Sequence, residues 1–426
     1  MKQLVKLRAE LASLLGYKTF ADYILEPRMA KNAATVAKFY NDLRPIVRKK
    51  AELDWAEFKK AKADETKNAK AEFYPWDYSY YKTLLQKKKY AVDGEKVAEY
   101  FPMERVVDGL FKTTQSLYDL TYKDVTADAK SLGFEIWHPD VKLFEVKDSA
   151  SGDLIGHFFI DLYPRPGKYT HAACWGLFSR KEWMDGKVST PVAALVCNFT
   201  KPTAEKPSLL PHEEVETFFH EFGHVLHNLL TKANTNRFAG AAVARDFVEA
   251  PSQMFENWVW NAEVLNTFAA HYKTGEKLPK KLLDGMIAAR NLGSGIETEH
   301  QFYYGLVDQA YHTAPGGDID PTKISQELFP KVELYKEVPG VYYQASFGHL
   351  VGYEAAYYGY QWSLVYAQDM FQRFEELGLL NPKAGAYYRE KILSRGGTMD
   401  EFAMLRDYLG REPKLDAFLR HLGLSK

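Results

Sequence analysis

Residues 211–230 read PHEEVETFFHEFGHVLHNLL, and this segment constrains the chain more than any other. Val215, Phe218, Phe219, Phe222, Leu226, Leu229 and Leu230 recur at three- and four-residue spacing, the apolar stripe of a helix buried along one side. Pro211 suits its first turn, and Glu213 and Glu214 suit the positive end of its dipole. On a helix, residues four apart share a face. His220 and His224 therefore present two imidazoles to one point, with Glu221 beside them. His-Glu-x-x-His is the arrangement in which two histidines bind a zinc ion and the glutamate acts as base. Gly223 is out of place, because glycine inside a helix costs about 1 kcal/mol against alanine. It is tolerable where something must pass close by, such as a strand or the substrate.

A catalytic zinc ion needs a third protein ligand and an open position. Residues 245–260, RDFVEAPSQMFENWVW, carry apolar periodicity through Phe247, Val248, Met254, Phe255 and Trp258, which predicts a second helix. Glu249 and Glu256 lie seven apart on one face of it, and either could turn a carboxylate towards the first helix. Spacing slightly favours Glu249, the nearer to the helix start. Arg245 and Asp246 are candidates for holding the free N–H of a ligating imidazole. His212 and His227 flank the motif without sharing its geometry and are read as capping or packing residues. The two cysteines, Cys174 and Cys197, sit in apolar runs and read as buried free thiols. They cannot build a Cys-rich site, so a zinc ion here must use His and carboxylates.

His349, Tyr353, Tyr357 and Tyr360 follow at spacings of 4, 4 and 3. On a helix they would form one polar-tipped stripe. Gly348, Gly352 and Gly359 interrupt it, as in a segment able to close over a ligand. An aromatic core stripe is the alternative. The run VAALVCNF shortly precedes the motif helix and could pair with an extended peptide by strand addition.

The remaining sequence fills in a class. Of 426 residues, 46% are hydrophobic, enough for a large core. Lys plus Arg (55) nearly balance Asp plus Glu (56), so there is no global field to draw nucleic acid or an anionic membrane. No apolar stretch approaches the roughly 20 residues that span a bilayer. The start of the chain places Leu4, Leu7, Leu11, Leu14 and Leu15 at helical spacing around Arg8 and Glu10, which predicts an amphipathic helix and not a leader. The expected setting is soluble, reducing and cytoplasmic. Residues 1–130 read as helical. Residues 134–200 hold β-type runs (KLFEV, LIGHFFIDLY, VAALVCNF), the first two joined by the turn DSASGD as a hairpin. Residues 211–262 carry the metal helices, and the helical C-terminal part includes the Tyr-rich segment 347–362. The predicted fold is mostly α-helical with a small antiparallel or mixed β-sheet and a zincin-type active-site helix, a single catalytic unit over 1–426.

Several longer stretches carry a resemblance: LVKLRAELASLLGYKTFADYILEPRMAK, WDYSYY, FFIDLYPRPGKYTHAACWGL, NFTKPTAEKPSLLPHEEVETFFHEFGHVLH, RDFVEAPSQMFENWVW and FGHLVGYEAAYYGYQW. Together they resemble the thimet oligopeptidase–neurolysin family of zinc metallopeptidases, which includes bacterial oligopeptidase A and dipeptidyl carboxypeptidase. The resemblance covers nearly all of the chain. It implies one zinc ion held by His220, His224 and Glu249, with Glu221 as base. It implies that His349, Tyr353 and Tyr357 contact substrate, and that Tyr360 and His349 serve the transition state. It implies a deep channel that admits short peptides, cut at internal bonds. A dipeptidyl carboxypeptidase is the alternative, needing a cation to hold a free carboxylate; a weakly active peptide-binding core is another. Two departures are visible. Members of the family carry a large region ahead of the helix that begins this sequence. The cleft is therefore expected to be wider than a closed channel, or covered by a second chain, in a monomer or a homodimer. Many members also have Gly-Gly after the histidine of the tyrosine segment, whereas His349-Leu350-Val351-Gly352-Tyr353 is one residue shorter, which loosens the expected place of Tyr353.

Overall fold

The computed structural model describes residues 1–336 and 338–424. It is 54% helical with a small mixed sheet, as the sequence pattern predicts, and a separate two-stranded ribbon of Lys181–Glu182 and Val188–Ser189. The principal helices are α1 (Lys2–Leu14), α2 (Ala33–Thr66), α3 (Met103–Tyr118), α4 (His212–Leu229), α5 (Glu249–Phe255), α6 (Ser294–His312) and α7 (Gly359–Leu377). The long α2 starts where the Asn32 side chain accepts the Thr35 N–H, and it buries Val36, Tyr40, Leu43, Val47, Ala51 and Phe58 along one side. That side lies along α6, with the Tyr40 and Phe302 rings 5.4 Å apart.

The main sheet has strands β1 (Leu120–Asp124), β2 (Lys142–Asp148), β3 (Leu154–Asp161), β4 (Ala173–Phe178) and β5 (Val192–Val196), in the order β1-β2-β3-β5-β4. β2 and β3 form the expected antiparallel hairpin. Its turn is tightened by the Asp148 carboxylate, which accepts the N–H groups of Ala150 and Ser151. β1 comes from a stretch read as helical. α3 stops at Asp119, whose φ of 50° turns the chain, and Tyr122 then packs flat on Phe111 of α3 with centroids 4.5 Å apart. β5, the core of VAALVCNF, pairs parallel with β3 and antiparallel with β4. Both its edges are used, so it has no free edge for a peptide, contrary to the expectation for this strand. The edge strands are β1 and β4, and on β4 Trp175, Leu177 and Phe178 are exposed.

α4 lies between the sheet and the helical body. Every residue of its predicted apolar stripe is buried, and Phe222 meets Phe158 of β3 edge to face at 5.4 Å. α1 is amphipathic, but inside out with respect to the leucine pattern. Its buried side is Val5, Arg8 and Ala12, while Leu7, Leu11, Leu14 and Leu15 are exposed. Arg8 fixes this orientation. Its guanidinium donates to Leu350 O at 2.8 Å, lies 3.0 Å from His312 Nε2 and pairs with Glu354 at 3.3 Å. A buried cation demands such partners, and four leucines can be left outside at lower cost. Among the described residues no helix is long and apolar enough to cross a membrane.

Candidate metal centre and its surroundings

α4 begins at His212 behind Pro211, with Glu213 and Glu214 in its first turn. Two turns on, His220 and His224 stand with ring centroids 5.0 Å apart. α5 crosses α4 at Gly223: a Cβ there would lie 2.7 Å from Ser252 Cα. Gly223 is thus glycine because the second helix passes over it, closer than any side chain allows. The crossing brings the first residue of α5, Glu249, over the histidine pair. Glu249 Oε2 lies 3.1 Å from His224 Nε2 and 3.4 Å from His220 Nε2. The three donor atoms all fall within 4.8 Å of one another.

This donor set suits a metal cation. His220 Nδ1 lies 2.6 Å from Glu256 Oε1, a carboxylate placed to accept an Nδ1 proton and so to leave Nε2 as the ligating atom at the shared point. Glu249 is buried, yet His224 and His220 hold its carboxyl well below the usual range against the opposing effect of burial. Two imidazoles and one ionised carboxylate with a solvent-facing side is the composition of a catalytic zinc site. Both glutamates between which spacing alone chose weakly therefore belong to the site, Glu249 in the donor set and Glu256 behind His220. Neither Arg245 nor Asp246 is bonded to His220 or His224 among the described residues. Asp246 accepts the N–H groups of Met29 and Ala30 and the Tyr358 hydroxyl instead.

Glu221 is 6% exposed, and its Oε2 has no hydrogen-bond partner among the described residues. Burial pushes its carboxyl up, while His220 and His224 pull it back. A buried carboxylate oxygen without a partner is unusual and keeps its capacity to accept a hydrogen bond. His212 packs on Trp260 and hydrogen-bonds Val259 O, and His227 is wholly buried, so both fill capping and packing places as expected. The cysteines are free, Cys197 buried and Cys174 half-buried on β4.

The tyrosine segment converges on the same centre, but not as a helix. Residues 348–350 form one 3₁₀ turn, the chain then runs irregularly, and α7 starts only at Gly359. The rings nevertheless cluster. His349 lies 5.1 Å from Tyr357 and 5.8 Å from Tyr353 and Tyr360, and Tyr353 stacks on Tyr360 at 5.3 Å. The Tyr353 hydroxyl reaches Glu249 Oε1 at 3.4 Å, and Tyr360 Oη reaches His349 Nε2 at 3.4 Å. Tyr357 turns to Gln301 of α6 at 3.1 Å. Residues that sequence reasoning missed hold this loop. The buried Asp308 carboxylate accepts the N–H groups of Ala355 (2.8 Å) and Tyr357 (3.0 Å), and Gln309 donates to Ala355 O at 2.9 Å. Ala355 sits at a φ of 53°, a conformation these bonds must maintain. The available signal was an Asp and an Arg at core-facing positions of α6 and α1, which says that a polar partner is needed without saying which.

Residues 1–424 match the model of peptidase family M3. The chain is 40% identical over 440 residues to saccharolysin of Saccharomyces cerevisiae, covering 99% of this chain and 60% of that protein. It is 39% identical to a thimet-like oligopeptidase of Dictyostelium discoideum (100% and 64% covered) and 38% identical to oligopeptidase A of Escherichia coli (100% and 62%). It thus spans about three fifths of the length of the curated relatives it matches. Among solved structures, PZ peptidase A with an inhibitor superimposes with a TM-score of 0.58 at 16% identity, over 99% of this chain and 63% of that one. A carboxypeptidase of Pyrococcus furiosus in its Apo-Mg form gives 0.57 at 12% identity, over 99% and 72%. These two likenesses concern the fold.

Proposed function

The chain belongs to peptidase family M3, and from that premise we propose that it is a zinc-dependent oligopeptidase hydrolysing internal bonds of short peptides. The observation that carries this reading is the convergence of His220, His224 and Glu249 on one point with an unengaged oxygen of Glu221 beside it. His220, His224 and Glu249 would hold the ion, and Glu256 would orient His220. A zinc ion bound there supplies Lewis acidity, which acidifies water and polarises a carbonyl.

This chain's own residues do the rest. A peptide adds as a further strand to the free edge of β4, whose backbone groups are unpaired on that side. Glu221 Oε2 accepts a proton as a water oxygen attacks the scissile carbonyl carbon. Negative charge develops on the carbonyl oxygen, and the Tyr360 hydroxyl, with His349 beside it, donates to that oxygen. Burial holds the His349 imidazole below its ordinary pKa, so it stays neutral near pH 7 and keeps one N–H. Glu221 then gives its proton to the departing amine nitrogen as the C–N bond breaks. Tyr353 is tied to Glu249 and flanks the substrate, as does Tyr357. The proposed compartment is the cytoplasm, on the two free thiols.

The test is digestion of one defined peptide by the purified chain, with products weighed by mass spectrometry. Internal cleavage that stops with a chelator and returns with added zinc is expected. Hydrolysis indifferent to the chelator would remove the metal from the account.

A further inference from the structure

Asp246 sits where the two parts of the site meet. It is 1% exposed and lies three residues ahead of Glu249. The turn between them is closed by the Phe247 and Val248 N–H groups, which both bond Ala244 O. The Asp246 carboxylate is held by a distant piece of chain. Oδ1 accepts the Met29 N–H and Oδ2 accepts the Ala30 N–H, each at 3.0 Å. Backbone donors do not swing away as side chains do. One on each oxygen therefore fixes the plane of the carboxylate independently of any side chain.

The fixed carboxylate then receives the start of α7. The buried Tyr358 hydroxyl donates to Oδ2 at 2.6 Å. A hydrogen bond to an ionised acceptor is among the stronger ones, and it is short here. Ser363 Oγ donates to the main-chain oxygen of Asp246 at 2.7 Å. Gly359 completes the contact, since a Cβ there would lie 3.3 Å from Asp246 Cα. Gly359 and Ser363 are four apart, on one face of the helix. Tyr360 is one position on from Gly359, about 100° round the axis. Its ring is thereby turned off the docked face towards His349 and Tyr353, at 5.8 Å and 5.3 Å. One residue thus joins the turn that delivers Glu249 to the turn that delivers the Tyr360 hydroxyl.

We propose that Asp246 is a positioning residue for the reaction, setting where the Tyr360 hydroxyl stands relative to the Glu249 donor. This rests on the peptidase reading above. Tyr358→Phe is the variant that tests it. It removes the hydroxyl that ties α7 to the carboxylate and keeps the ring and the backbone clamp. It is compared with the unaltered chain, with Tyr360→Phe and with the double variant. Each is measured for kcat and KM on one defined peptide. Each is also loaded with zinc and titrated calorimetrically with the phosphinic analogue of that peptide, whose tetrahedral phosphinate replaces the bond to be cut. Tyr358→Phe alone should lower kcat about tenfold with KM within about twofold, as for a reacting group slightly misplaced. It should weaken the analogue by about the same factor. In the Tyr360→Phe background the same substitution should change either quantity by no more than about twofold, because the group it misplaces is already gone. Asp246→Asn should couple to Tyr360→Phe in the same way, and if that chain does not fold, Tyr358→Phe decides alone. Equal losses from Tyr358→Phe with and without the Tyr360 hydroxyl would make the contact a brace of the fold and overturn the proposal. A loss carried by KM would overturn it too. If no chain cuts the peptide and the analogue still shows the coupling, the peptidase reading fails and the positioning role stands.

Discussion

The two halves of the candidate site are built by different means. The donor half, His220, His224 and Glu249, stands on α4 and α5, and its geometry comes from helical repeat and from one close crossing at Gly223. The tyrosine half, His349 to Tyr360, stands on irregular chain, and its geometry comes from buried polar groups on α1 and α6: Arg8, Asp308 and Gln309. A helix places side chains by its own hydrogen bonds. A loop must be placed by someone else's. The first half should therefore be rigid and break only if its helices are pushed apart. The second should shift whenever one of its outside supports is removed.

The largest effect should come from separating α4 and α5. Gly223→Val puts a branched side chain where a Cβ alone would sit 2.7 Å from Ser252 Cα. Overpacking of this kind costs about 1–3 kcal/mol. The loss of alignment should empty the metal site, which elemental analysis would show as less than one ion per chain together with loss of turnover. Normal metal content in this variant would mean that the crossing is not what sets the donor geometry. A middle effect is expected from Tyr360→Phe, which removes a donor from the tyrosine half and leaves α4 and α5 untouched. Turnover should fall about a hundredfold, with KM nearly unchanged. A change in KM alone would move Tyr360 into substrate binding. The smallest effect is expected from Asp308→Asn, where an amide oxygen can keep one of the two backbone N–H bonds. We expect kcat lower by about tenfold, in keeping with small misplacements of reacting groups, with unchanged metal content. Loss of metal in Asp308→Asn would erase the distinction between the halves.

The same contrast decides how much could be read from sequence. The helical class, the β2–β3 hairpin and the buried stripe of α4 follow from periodicity, which is local. The costly glycine signalled a close approach at Gly223, but what approaches is α5, not the strand or substrate expected there. The pairing of β5 was not legible, because a fully apolar strand does not say which neighbour takes each edge. The inside of α1 was misread because leucines are the stronger local signal, while Arg8 is turned inward by partners more than 300 residues away. The loop from His349 to Tyr360 shows the limit most clearly. Its residues were picked out, but the helix drawn through them does not exist, and Asp308, which shapes the loop, carries no signal in its own surroundings.

The central claim is that Glu221 is a base beside a metal held by other residues. Glu221→Gln tests it most directly, with zinc measured per chain and turnover of a defined peptide measured on the same sample. The account predicts one zinc ion retained and turnover lower by about a hundredfold to ten-thousandfold, the range for loss of a positioned general base. Turnover near that of the unaltered chain, with zinc in place, would contradict it.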